Sequence, residues 1–266
     1  MKLSNMSDRT RMPAIFLGHG NPMNALSVNE WTRAWKDLGS SVERPSAVLS
    51  ISAHWHIAET AVTVDRQPRT IHDFGGFPEE LFAVQYPAPG HPALAERVVA
   101  LLQPERAGLS KDWGLDHGTW SVLVHVYPQA DVPVVQLSIY KGKPARWHYD
   151  LAKKLRPLRD EGVLILGSGN LVHNLHAYSW GRHEPEPYEW AERFESFARE
   201  RLAAGEFDSL FEYESLGRDA RLAIPTPEHY LPLLYVVAQH QPGEPVTFPV
   251  EGFDGGSISM LGVKIG

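Results

Sequence analysis

Short apolar runs alternate with longer helical patterns along this 266-residue chain, and this alternation limits the folds that it can adopt. The runs are rich in Val, Ile and Leu and have the length of buried strands. They cover residues 14–17, 47–52, 61–64, 132–138, 163–166, 246–249 and 257–263. Helical patterns cover residues 28–38, 92–102, 118–126, 144–159, 188–204 and 227–239. Strands separated by helices imply right-handed crossovers, which predicts an α/β fold around a largely parallel sheet.

Local signals place the ends of some elements. Ser27 is the predicted N-cap of the first helix. The sequence Thr226-Pro227-Glu228 opens the last helical pattern, with proline early and an acid in the first turn. The two C-terminal strands are expected to add antiparallel edges to the sheet, so the sheet is largely parallel or mixed and is flanked by helices.

Two stretches show neither the helical pattern nor the strand-like pattern. Residues 72–89 contain two adjacent glycines, three prolines and several aromatic side chains, and we expect a long ordered loop with a functional role. Residues 182–187 form a second, polar connection. Because neither resembles a domain linker, we expect one domain over residues 1–266, with residues 1–11 as a flexible N-terminus.

Composition excludes several classes of site and partner. The chain has no cysteine, which excludes disulfides, thiolate metal sites and a cysteine nucleophile. The formal net charge of -7 argues against a general nucleic-acid binder. No signal-peptide core and no apolar stretch of about 20 residues is present. We therefore predict a cytoplasmic protein without nucleic-acid or membrane partners.

Three of the thirteen histidines follow strand-like runs. His19 follows the first run, His54 follows the second, and His173 lies shortly after the run at 163–166. In open α/β sheets, ligands bind beyond the carboxyl ends of the strands, so these imidazoles are expected to point into one crevice. Imidazole is a common ligand of Zn, Fe, Cu and Ni, which predicts a metal site.

Two more histidines belong to the candidate site. His117 precedes one helical pattern and His229 opens the last one, and a helix N-terminus favours the neutral imidazole that a ligand or a general base requires. His72, beside Asp73 in the glycine-rich loop, is a predicted substrate contact. Two tryptophans beside candidate site histidines, Trp55 and Trp120, are predicted to wall an aromatic substrate pocket. The remaining histidines, including His125, His148 and His183, are expected to pack or to lie at the surface.

Six blocks of sequence surround these residues. They read GHGNPM at 18–23, SAHW at 52–55, IHDFGGFP at 71–78, DHG at 116–118, GNLVHNL at 169–175 and TPEHYLPL at 226–233. In this order they resemble the DOPA extradiol dioxygenase family, the bacterial and plant branch of the class III, LigB-type extradiol ring-cleaving dioxygenases. The resemblance covers nearly the whole chain, from Met12 onward.

The resemblance implies a LigB-like catalytic domain that opens a catechol ring beside one hydroxyl, with O₂, at a non-haem metal. By motif, His19, His54 and His229 correspond to metal-site residues. His173 corresponds either to a fourth ligand or to the acid–base histidine, and His117 to a residue over the substrate. The implied substrate is a DOPA-like or related small catechol, Fe(II) is expected for catalysis, and Zn(II) is expected in the purified protein. A monomer or a small homo-oligomer is expected.

Alternatives remain open at the level of the sequence. Non-haem Fe(II) oxygenases typically use two histidines and one carboxylate, whereas the third position here reads Glu228-His229. An all-histidine set is also what a zinc-dependent hydrolase would offer. A third hypothesis is a non-catalytic metal-binding protein, in which His173 and His117 would be dispensable. In the oxygenase reading, a neutral His173 or His117 accepts a proton from the catechol.

Overall fold

Twelve strands lie in the described parts of the chain, residues 11–181 and 186–266 of a computed structural model. In chain order they are β1 (Ala14–Gly18), β2 (Ala47–Ser52), β3 (His56–Ile57), β4 (Thr60–Thr63), β5 (Ala107–Ser110), β6 (Val134–Gln136), β7 (Ile139–Tyr140), β8 (Val163–Gly169), β9 (Val246–Val250), β10 (Phe253–Asp254), β11 (Ile258–Ser259) and β12 (Gly262–Ile265). Six of them form the central sheet, in the order β6-β2-β8-β1-β12-β9. The other six form three two-stranded ladders: β3 with β7, β4 with β5, and β10 with β11.

Ten α-helices pack around these strands within the same described residues. They are α1 (Glu30–Ser41), α2 (Glu79–Phe82), α3 (Pro92–Leu102), α4 (His117–Val126), α5 (Ala145–Lys153), α6 (Pro157–Asp160), α7 (Glu189–Ala204), α8 (Asp208–Phe211), α9 (Arg218–Ala223) and α10 (Leu231–Val237). Two 3₁₀ turns, Pro22–Ala25 and Tyr213–Ser215, complete the helical structure. None of the described helices is both long and apolar enough to span a bilayer.

The central sheet is parallel in its first four strands and antiparallel at one side. β6, β2, β8 and β1 run parallel to their neighbours, whereas β12 is antiparallel to β1, and β9 is antiparallel to β12. The predicted parallel sheet with antiparallel C-terminal strands is therefore confirmed. The register pairs Gly18 with Gly169 and Ser52 with Ser168, so β1, β2 and β8 end at one edge.

Both faces of the sheet are buried. Along β1, Ala14 and Phe16 pack into one hydrophobic cluster with α3, α5, α7 and α10, while Ile15 and Leu17 pack into the other with α1 and α4. Every residue of β1, β2 and β8 is buried, which explains why these strands read as continuous apolar runs rather than as an alternating pattern.

Several predicted boundaries are wrong, each for a local reason. The helix expected at 144–159 is two helices, because Pro157 lacks an N–H and begins a new first turn. The helix expected from residue 227 begins at Leu231, after a turn in which the Tyr230 amide donates to the Pro227 carbonyl at 3.0 Å. The strand expected at 132–138 divides into β6 and β7, because the chain leaves β2 after Gln136 to reach β3.

Other corrections concern caps and loops. Ser27 does not cap α1; its hydroxyl donates to the Met23 carbonyl, and Asn29 caps the helix in a reciprocal capping box with Thr32. The predicted loop at 72–89 contains the short helix α2, and β5, α8 and α9 were not predicted at all.

Two predictions fall partly outside the described residues. Of the N-terminus expected to be flexible, residues 1–10 lie outside, and Arg11 pairs with Asp160 at 2.7 Å. Of the polar connection at 182–187, residues 182–185 lie outside, and so does His183.

Candidate metal centre and active site

Three distant segments of the chain bring imidazoles to one edge of the sheet. His19 directly follows β1, and its backbone N–H donates to the Gly169 carbonyl at 3.0 Å. His54 lies two residues after β2. His229 lies two residues before α10, and its carbonyl accepts from the Asn170 N–H at 2.9 Å, just beyond the end of β8. The ends of β1 and β8 therefore fix the backbone of two of the three histidines.

The ring nitrogens of these three histidines lie close together. The Nε2 atoms of His19 and His54 are 3.1 Å apart. The His229 ring centroid lies 5.3 Å from that of His19 and 5.2 Å from that of His54. One nitrogen of each residue lies within 4.8 Å of the others, so the set can surround a single cation.

A serine fixes the tautomer of His19. The Ser168 hydroxyl has one hydrogen, and it donates that hydrogen to the Gly118 carbonyl. The same hydroxyl lies 3.0 Å from His19 Nδ1, so it must accept there, and Nδ1 carries the ring proton. The Nε2 atom of His19 is left with a lone pair that faces His54.

A carboxylate favours the same tautomer of His54. The Nδ1 atom of His54 lies 3.2 Å from Asp73 Oδ2, and an ionised carboxylate favours the tautomer that has its proton on the nearer nitrogen. Burial would raise the pKa of Asp73, but its contacts with His117, and to a smaller extent with His54, outweigh that effect and lower the pKa to about 2. Asp73 is therefore ionised, and in the favoured tautomer His54 Nε2 presents its lone pair to His19.

This donor set fits a divalent transition metal. Burial, and then the neighbouring imidazoles, lower the pKa of His19 and His229 well below the ordinary value, and burial is also the main cause for His54. Two lone pairs that face each other at 3.1 Å repel unless a cation lies between them. At a metal–nitrogen distance of about 2.1 Å, neighbouring ligands of one ion are about 3.0–3.4 Å apart, which matches the observed separation.

His229 has an outer partner as well. Its Nδ1 atom lies 3.4 Å from Glu228 Oε1, which also accepts a hydrogen bond from the Thr226 hydroxyl. Each histidine of the set thus has an oxygen beside Nδ1, the arrangement that orients metal-ligating imidazoles and raises their basicity. Glu228 thus contacts the set of three histidines from outside, whereas His229, which follows it in the chain, belongs to the set.

His173 lies beside the set but outside it. Its ring stacks on the His229 ring at 3.5 Å with an angle of 4° between the planes. An imidazole offers its lone pair in its own plane, so the two stacked rings direct their lone pairs along parallel planes rather than towards one point. Burial lowers the pKa of His173 to about 4, which keeps this ring neutral at pH 7.

His117 occupies the first position of α4, next to His54. Its backbone N–H donates to Asp73 Oδ1 at 2.9 Å, and its ring lies 3.8 Å from the His54 ring. Its Nδ1 atom is 3.0 Å from the same oxygen, but at an angle unsuited to a hydrogen bond. Asp73, His54 and His117 are also close enough to form a second cation site. Since Asp73 already orients both histidines, we assign these contacts to positioning.

A buried carboxylate anchors the start of α4. Asp116 caps the helix, and it accepts hydrogen bonds from the Ser52 hydroxyl at 2.6 Å and from Gln136 Nε2 at 2.7 Å. Burial raises the pKa of Asp116, while those hydrogen bonds oppose the rise. The network connects the ends of β2 and β6 to α4, and so holds His117 over His54.

A cavity of about 280 Å³ lies over the imidazoles, near the lower end of the range for small-molecule sites. All five histidines of the candidate site line it, and the rest of its lining is largely apolar or aromatic. The other lining residues are Gly20, Asn21, Pro22, Phe77, Leu175, Tyr178, Trp180, Asp254 and Ile258. Sequence reasoning did not identify Tyr178, Trp180 or Asp254, which lie in segments without periodic patterns.

The four predicted substrate residues are not part of this lining. His72 Nε2 lies 3.0 Å from the Val84 carbonyl, Trp55 stacks on Trp113, and the Trp120 indole N–H donates to the Ile71 carbonyl at 2.8 Å. These contacts, like those of Asp73 described above, support the walls and histidines of the cavity. Direct contact of His72, Asp73, Trp55 and Trp120 with substrate stays a prediction.

Other histidines have contacts away from the cavity. His125 Nε2 lies 2.8 Å from the Asn24 carbonyl, and His91 caps α3 by accepting from the Leu94 amide. His148 is buried against the Tyr235 hydroxyl. These contacts agree with the packing roles expected for histidines within or near helices.

Comparison with known proteins identifies the family. A family model described as the catalytic LigB subunit of aromatic ring-opening dioxygenase matches residues 18–242. The chain belongs to this family. The resemblance inferred from the six sequence blocks is thus confirmed, and so is the LigB-like α/β fold.

Individual relatives of the LigB family support this assignment. The chain is 51% identical to the 4,5-DOPA dioxygenase extradiol of Escherichia coli K12, over 97% of this chain and 96% of that protein. It is 36% identical to the 4,5-DOPA dioxygenase extradiol of Beta vulgaris, over 94% of each chain. The crystal structure of an uncharacterised E. coli K12 protein, 46% identical, superposes with a TM-score of 0.84 over 96% of this chain and 100% of that one.

Family membership decides between the hypotheses left open by the sequence. The chain is a metal-dependent extradiol ring-cleaving dioxygenase, and it acts on a small molecule with O₂. The zinc hydrolase hypothesis is not favoured.

Proposed function

We propose that this enzyme opens the ring of a DOPA-like catechol beside one hydroxyl, with Fe(II) held by His19, His54 and His229. The observation that carries the proposal is the 3.1 Å separation of the Nε2 atoms of His19 and His54 at a cavity of small-molecule size. The names of the E. coli and Beta vulgaris relatives support DOPA as a substrate. When bound, Fe(II) supplies redox chemistry that Zn(II) lacks, although imidazoles accept both ions and zinc is expected after purification.

We propose His173 as the acid–base residue rather than as a fourth ligand. Its ring is stacked parallel to that of His229, so the two lone pairs lie in separate planes, and burial, which lowers its pKa to about 4, keeps the ring neutral, as a proton acceptor must be. A catechol hydroxyl in the cavity would transfer its proton to this ring, and the ring would return it as the product forms. A positioned base of this kind contributes about 10²–10⁴ in rate.

The second proposed catalytic residue is His117. It lines the same cavity, and Asp73 accepts a hydrogen bond from its backbone N–H, so its ring is held beside His54. We propose that it contacts the substrate over the metal site. The apolar wall that includes Phe77 and Ile258 would exclude water and orient the aromatic ring.

Broader properties of the enzyme also remain predictions. These are a single catalytic domain over residues 1–266, a cytoplasmic location, a monomer or small homo-oligomer, and no nucleic-acid or membrane partner. Size measurement in solution would test the oligomeric state.

Oxygen uptake on metal-defined protein tests the proposed function. Metal-free protein is loaded anaerobically with Fe(II), then mixed with O₂ and a panel containing L-DOPA and simple catechols. We expect one O₂ consumed per ring opened and a yellow product from the iron-loaded protein, with no turnover from a zinc-loaded sample. Absence of oxygen uptake with every catechol would overturn the proposal. A His19→Ala variant, which lacks one proposed ligand, serves as the inactive control.

A further inference from the structure

The charge of the cavity lining is unbalanced. Asp254 is the one carboxylate among the described lining residues, and no lysine or arginine is among them. Apart from Asp254 and the five histidines, the described lining residues are neutral. Within the described lining, a substrate side chain that reaches Asp254 therefore meets a carboxylate with no lysine or arginine beside it.

Asp254 lies in a short row that leads away from His173. It pairs with Ile258 in the ladder of β10 and β11, and Ile258 in turn forms an antiparallel bridge with His173. Antiparallel neighbours have Cα atoms about 4.5–5.5 Å apart, so Asp254 and His173 are separated by about 9–11 Å between Cα atoms. All three side chains line the cavity. This span suits a catechol ring near His173 with a short substituent directed at Asp254.

The Asp254 carboxylate is held in place. The Tyr178 hydroxyl donates to its Oδ1 atom at 2.8 Å. The Tyr178 ring packs so closely on Gly255 that an added Cβ there would lie 2.2 Å from the ring. Among the described residues, Asp254 has no ion pair with a lysine or an arginine. Burial raises the pKa of Asp254, and the hydrogen bond from Tyr178 opposes that rise and favours the ionised carboxylate.

Two aromatic rings stand beside this carboxylate in the lining. Tyr178 and Trp180 have ring centroids 4.5 Å apart, and Trp180 is 69% exposed. Aromatic faces attract ammonium groups through their quadrupole. An exposed tryptophan next to a fixed carboxylate thus provides two favourable contacts for one cation.

We propose that this enzyme selects catechols whose side chain carries an ammonium group, and that Asp254 is the specificity-determining residue that binds it. Catechols with an anionic side chain are disfavoured by the same carboxylate. The inference rests on the proposed function, because it assigns a substrate class to that active site.

Turnover of three matched catechols tests the proposal. Dopamine has a cationic side chain, 4-methylcatechol a neutral one, and 3,4-dihydroxyphenylpropionate an anionic one. In the iron-loaded enzyme we expect kcat/KM to decrease in that order. In Asp254→Asn, the ratio of kcat/KM for dopamine to that for 4-methylcatechol is expected to fall about ten- to hundredfold, since a hydrogen bond to a charged group is lost. Asp208→Asn makes the same charge change at a residue whose side chain is 93% exposed and should keep the ratio.

A binding measurement keeps this test separate from the test of ring cleavage. Calorimetric titration of zinc-loaded protein compares its affinities for dopamine and for 3,4-dihydroxyphenylpropionate without turnover. Ring cleavage of 4-methylcatechol, which has no charged side chain, tests the proposed function alone. We expect dopamine to bind more tightly, Asp254→Asn to lose the preference, and Asp254→Glu to retain part of it. Equal binding of the two ligands by the unmodified enzyme, or an unchanged preference in a folded Asp254→Asn, would overturn the proposal.

Discussion

Two residues outside the histidine set, Ser168 and Asp73, influence which nitrogen of each histidine faces the proposed metal site. Ser168 accepts a hydrogen bond from Nδ1 of His19, and the Asp73 carboxylate lies beside Nδ1 of His54, so the favoured tautomers direct both Nε2 lone pairs inward. A hydroxyl or carboxylate beside Nδ1 leaves Nε2 free to bind a metal, and it disfavours the tautomer that has the proton on Nε2. We therefore expect the metal affinity of the proposed site to depend on the residues that contact its histidines from behind.

Replacing Asp73 with asparagine should weaken metal binding more than it perturbs the fold. An asparagine side chain keeps the shape but loses the negative charge that fixes His54. We expect metal affinity to fall about 10–100-fold. Competition with a chromophoric chelator would measure this change, and Asp112→Asn, at an exposed position, is the matched control. Unchanged affinity in Asp73→Asn would show that His54 is oriented without this carboxylate.

Replacing His173 with alanine should separate chemistry from metal binding. If His173 is the base, kcat falls about 10²–10⁴ while the bound metal stays near one ion per chain. If His173 is a ligand, metal content falls as well. Elemental analysis with single-turnover kinetics distinguishes the two outcomes. His176→Ala, which removes an exposed imidazole three residues away, should retain both properties.

Sequence reasoning predicted that His19 and His54 lie close together, and the structure places them so. The convergence was predictable because buried parallel strands have apolar runs, and such strands end at a common edge. Tyr178 and Asp254 could not, since they reach the cavity through turns whose course depends on tertiary contacts. The hydrogen bond between Ser168 and His19 was equally hidden, because adjacent strands separated by much of the chain bring these residues together.

At the scale of elements, the end of β8 connects two of the proposed ligands. Gly169 accepts from the His19 amide, and the following residue, Asn170, donates to the His229 carbonyl. A Cβ added at Gly169 would lie 2.1 Å from that carbonyl oxygen. The strand can therefore end against the turn before α10 only with glycine at this position.

Gly169→Ala should displace the backbone of His229 and thereby weaken metal binding at the proposed site. We expect a loss of stability of about 1–3 kcal/mol from overpacking, together with weaker metal binding. Urea unfolding and a metal titration measure the two effects. Gly108→Ala is the control, because an added Cβ there meets no atom within 4 Å. Metal affinity equal to that of the unmodified protein would contradict the role assigned to this contact.

For the whole molecule, buried imidazoles make stability depend on pH. Burial lowers the pKa of His148, away from the metal site, to about 4, against about 6.5 in an unfolded chain. Between these values the unfolded chain binds the proton and the folded protein does not, so stability is lost as the pH falls through this window. The proposed metal ligands add to the same trend in metal-free protein, since burial also lowers their pKa values.

Replacing His148 with glutamine should therefore reduce the acid sensitivity of the metal-free protein. From pH 7 to pH 5, the unmodified protein is expected to lose about 2 kcal/mol of unfolding free energy through this residue. Between the same two pH values, the variant should lose about 2 kcal/mol less unfolding free energy than the unmodified protein, whatever its stability at pH 7. Urea unfolding at both pH values gives the difference, with His176→Gln as an exposed control. Equal losses in variant and unmodified protein would contradict a buried neutral His148.

The placement of β1 between β8 and β12 has a consequence for biosynthesis. His19 is translated before β8 and β12, the strands that pair with β1, and well before the third imidazole, His229. A half-made chain holds an incomplete set of nitrogens, with weak affinity for any ion. If these histidines hold the metal as proposed, we expect the ion to be acquired only after His229 has been translated, so that the finished protein selects its ion from the metals around it.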